Sequence, residues 1–337
     1  MWPHRVTRKI IVITVITIII IILKAPQAAG QTTSLSIWPP ILEAMIKPGK
    51  SVTQVYRLKN EADDTTVTVS VIPFSAADEF GHLNLQFGGK LPNYFSLLNA
   101  DLPELPVTLN LKAGEAQELV LKIAIPEKAE DADYPIALVI ESKTTGLLGG
   151  SGSVTRATIA SPILLTVSQS GTPNRLAKIE TFGIAPARRL LVGYLQGVSL
   201  LDSFDPIEFV LRVKNQSFTR LQPIGQIKIN NTFGRNVATL PLQADHILAG
   251  TIRQLKQSTS EVKEVPTSEV SDLTWFPVFP LGRYTAEAEI TPQDTTNTVS
   301  QTIVFWVLPY KALLVLGLLF LGYRALTTIL KQQKLKS

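Results

Sequence analysis

The sequence predicts an all-β protein: two tandem immunoglobulin-like β-sandwiches followed by one transmembrane α-helix. Three observations predict it. Between residues 31 and 309, run after run alternates apolar with polar side chains, the period of a half-buried strand, and no segment there longer than about two turns has helical spacing. The four residues Arg57–Asn60, "RLKN", return 155 residues later as Arg212–Asn215, "RVKN", each closing an alternating run; that interval is about one sandwich and a linker. Finally, an apolar stretch near the end of the chain is followed by a basic tail.

In chain order, residues 1–30 read as a secretory signal: Arg5, Arg8 and Lys9 precede an apolar run from Ile10 to Leu23, and Ala28, Ala29 and Gly30 supply small residues for cleavage. An uncleaved anchor is the alternative, because Lys24 interrupts the run before the small residues. Residues 31–171 are expected to form the first sandwich. Their strands include Val67, Val69 and Val71 on one face of "TTVTVSVIP", and Leu119, Leu121, Ile123 and Ile125 farther on. "SQSGTPNRLAK", residues 168–178, breaks the alternation with Gly and Pro and marks the linker. Residues 172–309 then form the second sandwich, with strands through Ile207, Phe209, Leu211 and Val213 and through Val299, Gln301, Ile303, Phe305 and Val307. "GLLGGSGS" (146–153) reads as a flexible hairpin loop, and the polar stretch 256–272 as a mobile insertion.

Residues 310–330 are expected to cross a membrane. Ala312 to Leu330 would span about 28 Å as a helix, enough for a bilayer core. Arg324 lies near one end, where it can snorkel, and Lys331, Lys334 and Lys336 make 331–337 a cytoplasmic tail. The expected location is therefore the cell membrane, single-pass, with the N-terminal part outside.

Composition excludes several functions. The chain has 337 residues and no cysteine, so disulfides, thiolate metal sites and cysteine nucleophiles are absent. Its formal charge of +5 suggests an acidic partner until the charges are located. Nine of the 32 basic residues lie in residues 1–30 and 310–337, where there is no acid, leaving 23 against 27 acids in between. A middle region of net −4 is not a nucleic-acid footprint.

Two Gly-containing turns raise the question of phosphate binding. "IKPGKSVTQV" and "LKAGEAQELV" each place Gly (Gly49, Gly114) after a lysine and before a strand. Pro48 followed by Gly49 is a type II turn signature, and a phosphate loop would need more glycines and a following helix. Both motifs are read as turns that launch strands.

No catalytic constellation emerges. His4 lies in the signal, while His82 and His246 belong to different sandwiches, so a metal site or triad would have one histidine at most. Ser151 lacks the setting of a nucleophile elbow. Glu130, Asp131 and Asp133 could bind calcium or act as acid and base, but without calcium-loop spacing they read as a solvated turn. Asn215 and Asn230 match the glycan-acceptor pattern. The chain is read as a non-enzyme with no cofactor and no assigned binding residue.

Signal, two sandwiches, one span and basic tail, together with "IKPGKSVTQVYRLKNEADDTTVTVSV", resemble the WxL-interacting cell-surface proteins. That resemblance implies a peptidoglycan-binding first domain and a partner- or host-binding second one. The "SIWPPILEAM" segment and the region after "DADYPIALVIES" depart from the family's pattern. The expected function is thus a membrane-anchored binding or scaffold protein of the bacterial envelope. It would recognise a wall polymer, peptidoglycan by the resemblance, or a surface protein, mainly through domain 1, and contact lipid through its span. Alternatives are an accessory subunit of a membrane complex or a carboxylate-dependent hydrolase.

Overall fold

A computed structural model describes residues 34–89, 93–99, 104–143, 157–185, 199–258, 273–278 and 280–334. The expected signal (1–30), Ser151, the 146–153 loop and residues 259–272 lie outside them. Among the described residues there are nineteen strands and one helix, an all-β arrangement with a helix at its C-terminal end.

The first unit contains ten strands: β1 (Leu35–Trp38), β2 (Leu42–Ile46), β3 (Ser51–Asn60), β4 (Thr65–Ala76), β5 (Leu83–Leu85), β6 (Phe95–Leu97), β7 (Val107–Leu111), β8 (Ala116–Ala124), β9 (Ala132–Lys143) and β10 (Thr158–Val167). One sheet runs β1-β3-β8-β6; the other runs β2-β10-β9-β4-β5, with β7 also on β4. The alternating residues predicted to point inward do so. Val67, Val69, Leu119, Leu121 and Ile123 are buried with Tyr56, Leu58 and Ile163 in one core between the sheets, as expected for face-to-face sandwich packing.

The second unit comprises β11 (Ala177–Ile184), β12 (Ser199–Asp202), β13 (Ile207–Asn215), β14 (Pro223–Asn230), β15 (Asn236–Pro241), β16 (Ile252–Gln254), β17 (Leu273–Trp275), β18 (Gly282–Pro292) and β19 (Val299–Leu308). Its sheets are β11-β13-β16, with β17 on β13, and β12-β19-β18-β14-β15. The core carries an aromatic cluster: the Phe305 ring lies 6.0 Å from Phe209 and 5.8 Å from Tyr284, centroid to centroid. The two units repeat one device. In each, the chain leaves its first strand, crosses to the other sheet and pairs in parallel with the last strand, β2 on β10 and β12 on β19. This arrangement fits the tandem immunoglobulin-like plan.

Both Gly turns form as predicted. Gly49 (φ 76°) and Gly114 (φ 74°) adopt the left-handed conformation. The turns are closed by Lys50 N donating to Lys47 O at 3.2 Å and Glu115 N donating to Lys112 O at 3.0 Å. β3 and β8 follow immediately.

The "RLKN" and "RVKN" echo marks equivalent positions. Asn60 and Asn215 are both fully buried at the ends of β3 and β13. Each accepts from the backbone N two residues on and donates its amide to carbonyls of neighbouring loops. Asn215 is therefore a structural residue; its buried amide contradicts the glycan-acceptor reading, since a glycan needs that nitrogen exposed.

One expectation about loops needs correcting. Residues 256–258 begin the stretch read as mobile, but Gln243 N donates to Lys256 O and Ser258 N to Pro241 O. This start of the segment is tied to the end of β15.

The helix α1 (Tyr310–Lys334) begins one residue after β19. Its apolar window, Tyr310–Thr328, has a mean hydropathy of 1.4 and no share buried against the sandwiches.

Candidate functional site

The strongest concentration of polar chemistry lies where the two units meet. β9 explains why they meet. Its run Ile136–Ile140 is buried at every position: Ile136, Leu138 and Ile140 enter the core of the first unit, while Ala137 and Val139 point outward. There they join Ile72, Phe74 and Leu164 in a small apolar patch on which Leu248 of the second unit packs. A sheet with an apolar outer face needs a cover, and the loop between β15 and β16 supplies it.

Ion pairs surround this patch. Arg212 on β13 holds Glu79 in a fork, Nε to Oε2 at 2.7 Å and Nη2 to Oε1 at 2.8 Å. The Glu79 carbonyl also accepts from Gln254 N at 2.8 Å. Glu43 on β2 pairs with His246 Nε2 at 2.9 Å and Arg220 Nη2 at 3.6 Å. Arg220 reaches farther in, donating from its guanidinium to the Thr166 hydroxyl and from its backbone N to Asp133. Gly81 (φ 95°) permits the approach of Arg253, since a Cβ there would lie 2.2 Å from Arg253 Nη1.

These contacts correct the reading of the acidic trio. Asp133 is not in a solvated turn: it accepts from Thr166 Oγ1 at 2.7 Å as well as from Arg220. Burial holds its carboxyl above the usual value, opposed by those hydrogen bonds and the Arg220 charge. Asp131 accepts from Gln169 N at 2.9 Å and from the Ser168 hydroxyl, and Glu130 is exposed. Asp131 and Asp133 thus serve separate partners, and among the described residues no group of three or more His, Asp or Glu could hold a metal.

Between the units lies a cavity of about 210 Å³, lined by Phe74, Asp78, His82, Asp245, His246 and Arg253 among others. His82 and His246, assigned to separate sandwiches, thus line one space. Its two carboxylates are engaged: Asp78 with His82 at 2.5 Å, which lowers the Asp78 pKa, and Asp245 with Arg253 at 3.2 Å. None of the trio Glu130, Asp131 and Asp133 lines it. The sequence could not reveal this site, because its partners lie as far as 203 residues apart.

A second feature adjoins the first unit's sheet. β10 pairs with β9 over its whole length, Thr158 to Val167, but with β2 only from Ile163 to Val167. Among the described residues, no strand pairs with Thr158–Pro162 on the side away from β9. The Ser161 hydroxyl reaches Pro39 O at 2.9 Å, and the neighbouring Trp38 is 69% exposed.

No family model and no curated protein matches the chain. Similar solved structures include the class 5 fimbriae chaperone CfaA, 10% identical, covering 80% of this chain and 99% of that one with a TM-score of 0.38. Another is the CsuC–CsuE chaperone–tip adhesion subunit pre-assembly complex from archaic chaperone-usher Csu pili of Acinetobacter baumannii, 12% identical, covering 82% and 99%, TM-score 0.35. A third is the Salmonella enterica SafA pilin in complex with the SafB chaperone, 10% identical, covering 82% and 99%, TM-score 0.35. These findings correct the expected kinship with WxL-interacting proteins. The membrane-anchored wall-polymer function drawn from that kinship falls with it.

Proposed function

We propose that the protein is a non-enzymatic polypeptide binder whose first unit takes an extended segment of a partner protein along the uncovered half of β10. The observation that carries this reading is the half-covered strand itself. An uncovered stretch of strand offers a row of backbone donors and acceptors to an added strand, and β10 is held in place along its full length by β9. The exposed Trp38 ring beside it offers an apolar anchor. The Glu79–Arg212 fork and the Leu248 contact tie the second unit to the same sheet, favouring a prepared edge over one that forms on binding.

In the same reading α1 is a single membrane span, with both sandwiches on the outer side and the lysine-rich tail inside. Its length and composition, and an apolar window left unburied, support this location.

A peptide array of alternating apolar and polar ten-residue segments tests the binding. Peptides bound by the full chain should slow amide hydrogen exchange at residues 158–161. Exchange unchanged there, or binding no better than to scrambled peptides, would overturn the proposal.

A further inference from the structure

The second unit ends, on the side from which α1 departs, in a rim of exposed apolar side chains. Strand pairing fixes which loops form it. β12 and β19 run parallel and finish together at Asp202 and Leu308. β17 ends with Trp275 opposite Ile207, the first residue of β13, and β18 begins with Gly282 opposite Val307. The β14–β15 hairpin reaches the same end: Thr232 Oγ1 donates to Arg283 O at 2.8 Å and accepts from Arg283 N at 3.1 Å. The tips of these loops carry Phe204 (61% exposed), Phe233 (92%), Phe276 (75%), Val278 (98%) and Leu281 (58%). Single exposed apolar residues are ordinary. Five at one end, brought there by three separate loops, are not.

The helix is fixed to this same end. Only Pro309 separates β19 from α1. The Asp202 carboxylate accepts from Lys311 N at 2.9 Å, and the Asp205 carboxylate holds Lys311 Nζ at 2.6 Å. The opposite end of β13, at Asn215, faces the loop that covers the first unit.

We infer that this rim rests on the surface of the bilayer that α1 enters, with the five side chains at the boundary of headgroups and acyl chains. Arg235 on the β14–β15 hairpin and Arg283 at the start of β18, both exposed, would meet acidic headgroups. The occupant is lipid because the rim is continuous with a helix of membrane length whose apolar window nothing among the described residues covers. The inference rests on α1 as a span and adds that the second unit sits on the membrane in one orientation, holding the first unit away from it.

The absence of cysteine makes the test direct, since each introduced cysteine is unique. The full chain would be reconstituted in vesicles of phosphatidylcholine and phosphatidylglycerol, with a nitroxide at Val278→Cys, Phe233→Cys, Phe320→Cys within α1, or Phe218→Cys, which is exposed near Asn215. Labels at 278, 233 and 320 should collide more with oxygen dissolved in lipid than with a water-soluble nickel chelate, and the label at 218 should show the reverse. Aqueous labels at 278 and 233 with a lipid-exposed label at 320 would overturn the rim while leaving the span standing. Labels at 278 and 233 shielded from both reagents would also overturn it, indicating a protein neighbour. An aqueous label at 320 would remove the span and the rim together.

Discussion

Glu79 and Arg212, 133 residues apart in the chain, meet in a two-bond fork that joins the units, with contacts of 2.7 and 2.8 Å. Arg212 belongs to the "RVKN" echo, so the position that looked like a mere repeat of Arg57 has been given a joining role. The pair is about one-third exposed, and its energy must be discounted for screening. Arg212→Ala should cost about 1 kcal/mol. The larger effect should be on geometry: spin labels on the two units should give a broader distance distribution in the variant. An unchanged distribution would mean that the Leu248 contact alone sets the joint. Arg212→Lys should restore charge without the fork and recover only part of the order.

Asn60 and Asn215 predict matched stability losses. Each side chain is fully buried and donates to backbone carbonyls, Asn60 to those of Asp63, Leu111 and Lys112 and Asn215 to those of Thr219 and Ile247. Replacement by Ala should cost about 2–4 kcal/mol, since more than one buried group loses its partner. Replacement by Asp should be no milder, because a carboxylate cannot donate to those carbonyls. Urea unfolding followed by a probe in each unit should find Asn60→Ala acting on the first transition and Asn215→Ala on the second. Equal effects of one variant on both probes would show that the units unfold as one.

Asp133 predicts a pH dependence of unusual sign. Burial raises its folded pKa above 3.8, so between that value and the raised one the folded state holds more protons than the unfolded state. Stability contributed by this group is then present at low pH and lost as pH rises through the window. Asp133→Asn cannot titrate. The stability of the original chain relative to this variant should therefore fall as pH increases from about 4, as measured by unfolding across a pH series. A relative gain with rising pH would show that the Arg220 charge outweighs burial.

Much of the sandwich plan was legible because period-two alternation directly records which side chains face a core. Val67, Leu121, Phe209 and Phe305 all lie where that rule put them. β9 was less legible for the same reason. Its "IALVI" run, buried on both faces, shows no alternation, and only its continuity hinted at a strand covered on two sides. The seam was hidden more deeply. Nothing local distinguishes Glu43 or Glu79 from other surface acids; their roles depend on where the second unit comes to rest. The sheet-crossing of β1–β2 was signalled only by "WPP", which says that a strand stops and not where the chain goes next. The uncovered half of β10 could not be seen at all, because pairing partners are a property of the assembled sheet.

The two Gly turns differ in a way that gives the last prediction. Both glycines have positive φ, so any L side chain is strained at either site. At Gly114 a Cβ would meet nothing within 4 Å, whereas at Gly49 it would lie 3.1 Å from Glu127 Cγ. Gly49 N also donates to Ile125 O at 3.0 Å, so the amide that an anion cradle would need is already used. Gly114→Ala should therefore cost only the backbone strain, about 1 kcal/mol, and Gly114→Asn should recover part of it because Asn tolerates this conformation. Gly49→Ala should cost more, by the amount needed to push Glu127 aside. Glu127→Ala should close most of the difference when combined with it, since that truncation removes the crowding atom without altering φ. Denaturant titration of the four variants measures the ordering. Equal losses at the two glycines would mean that Glu127 swings away freely and that φ alone governs both turns.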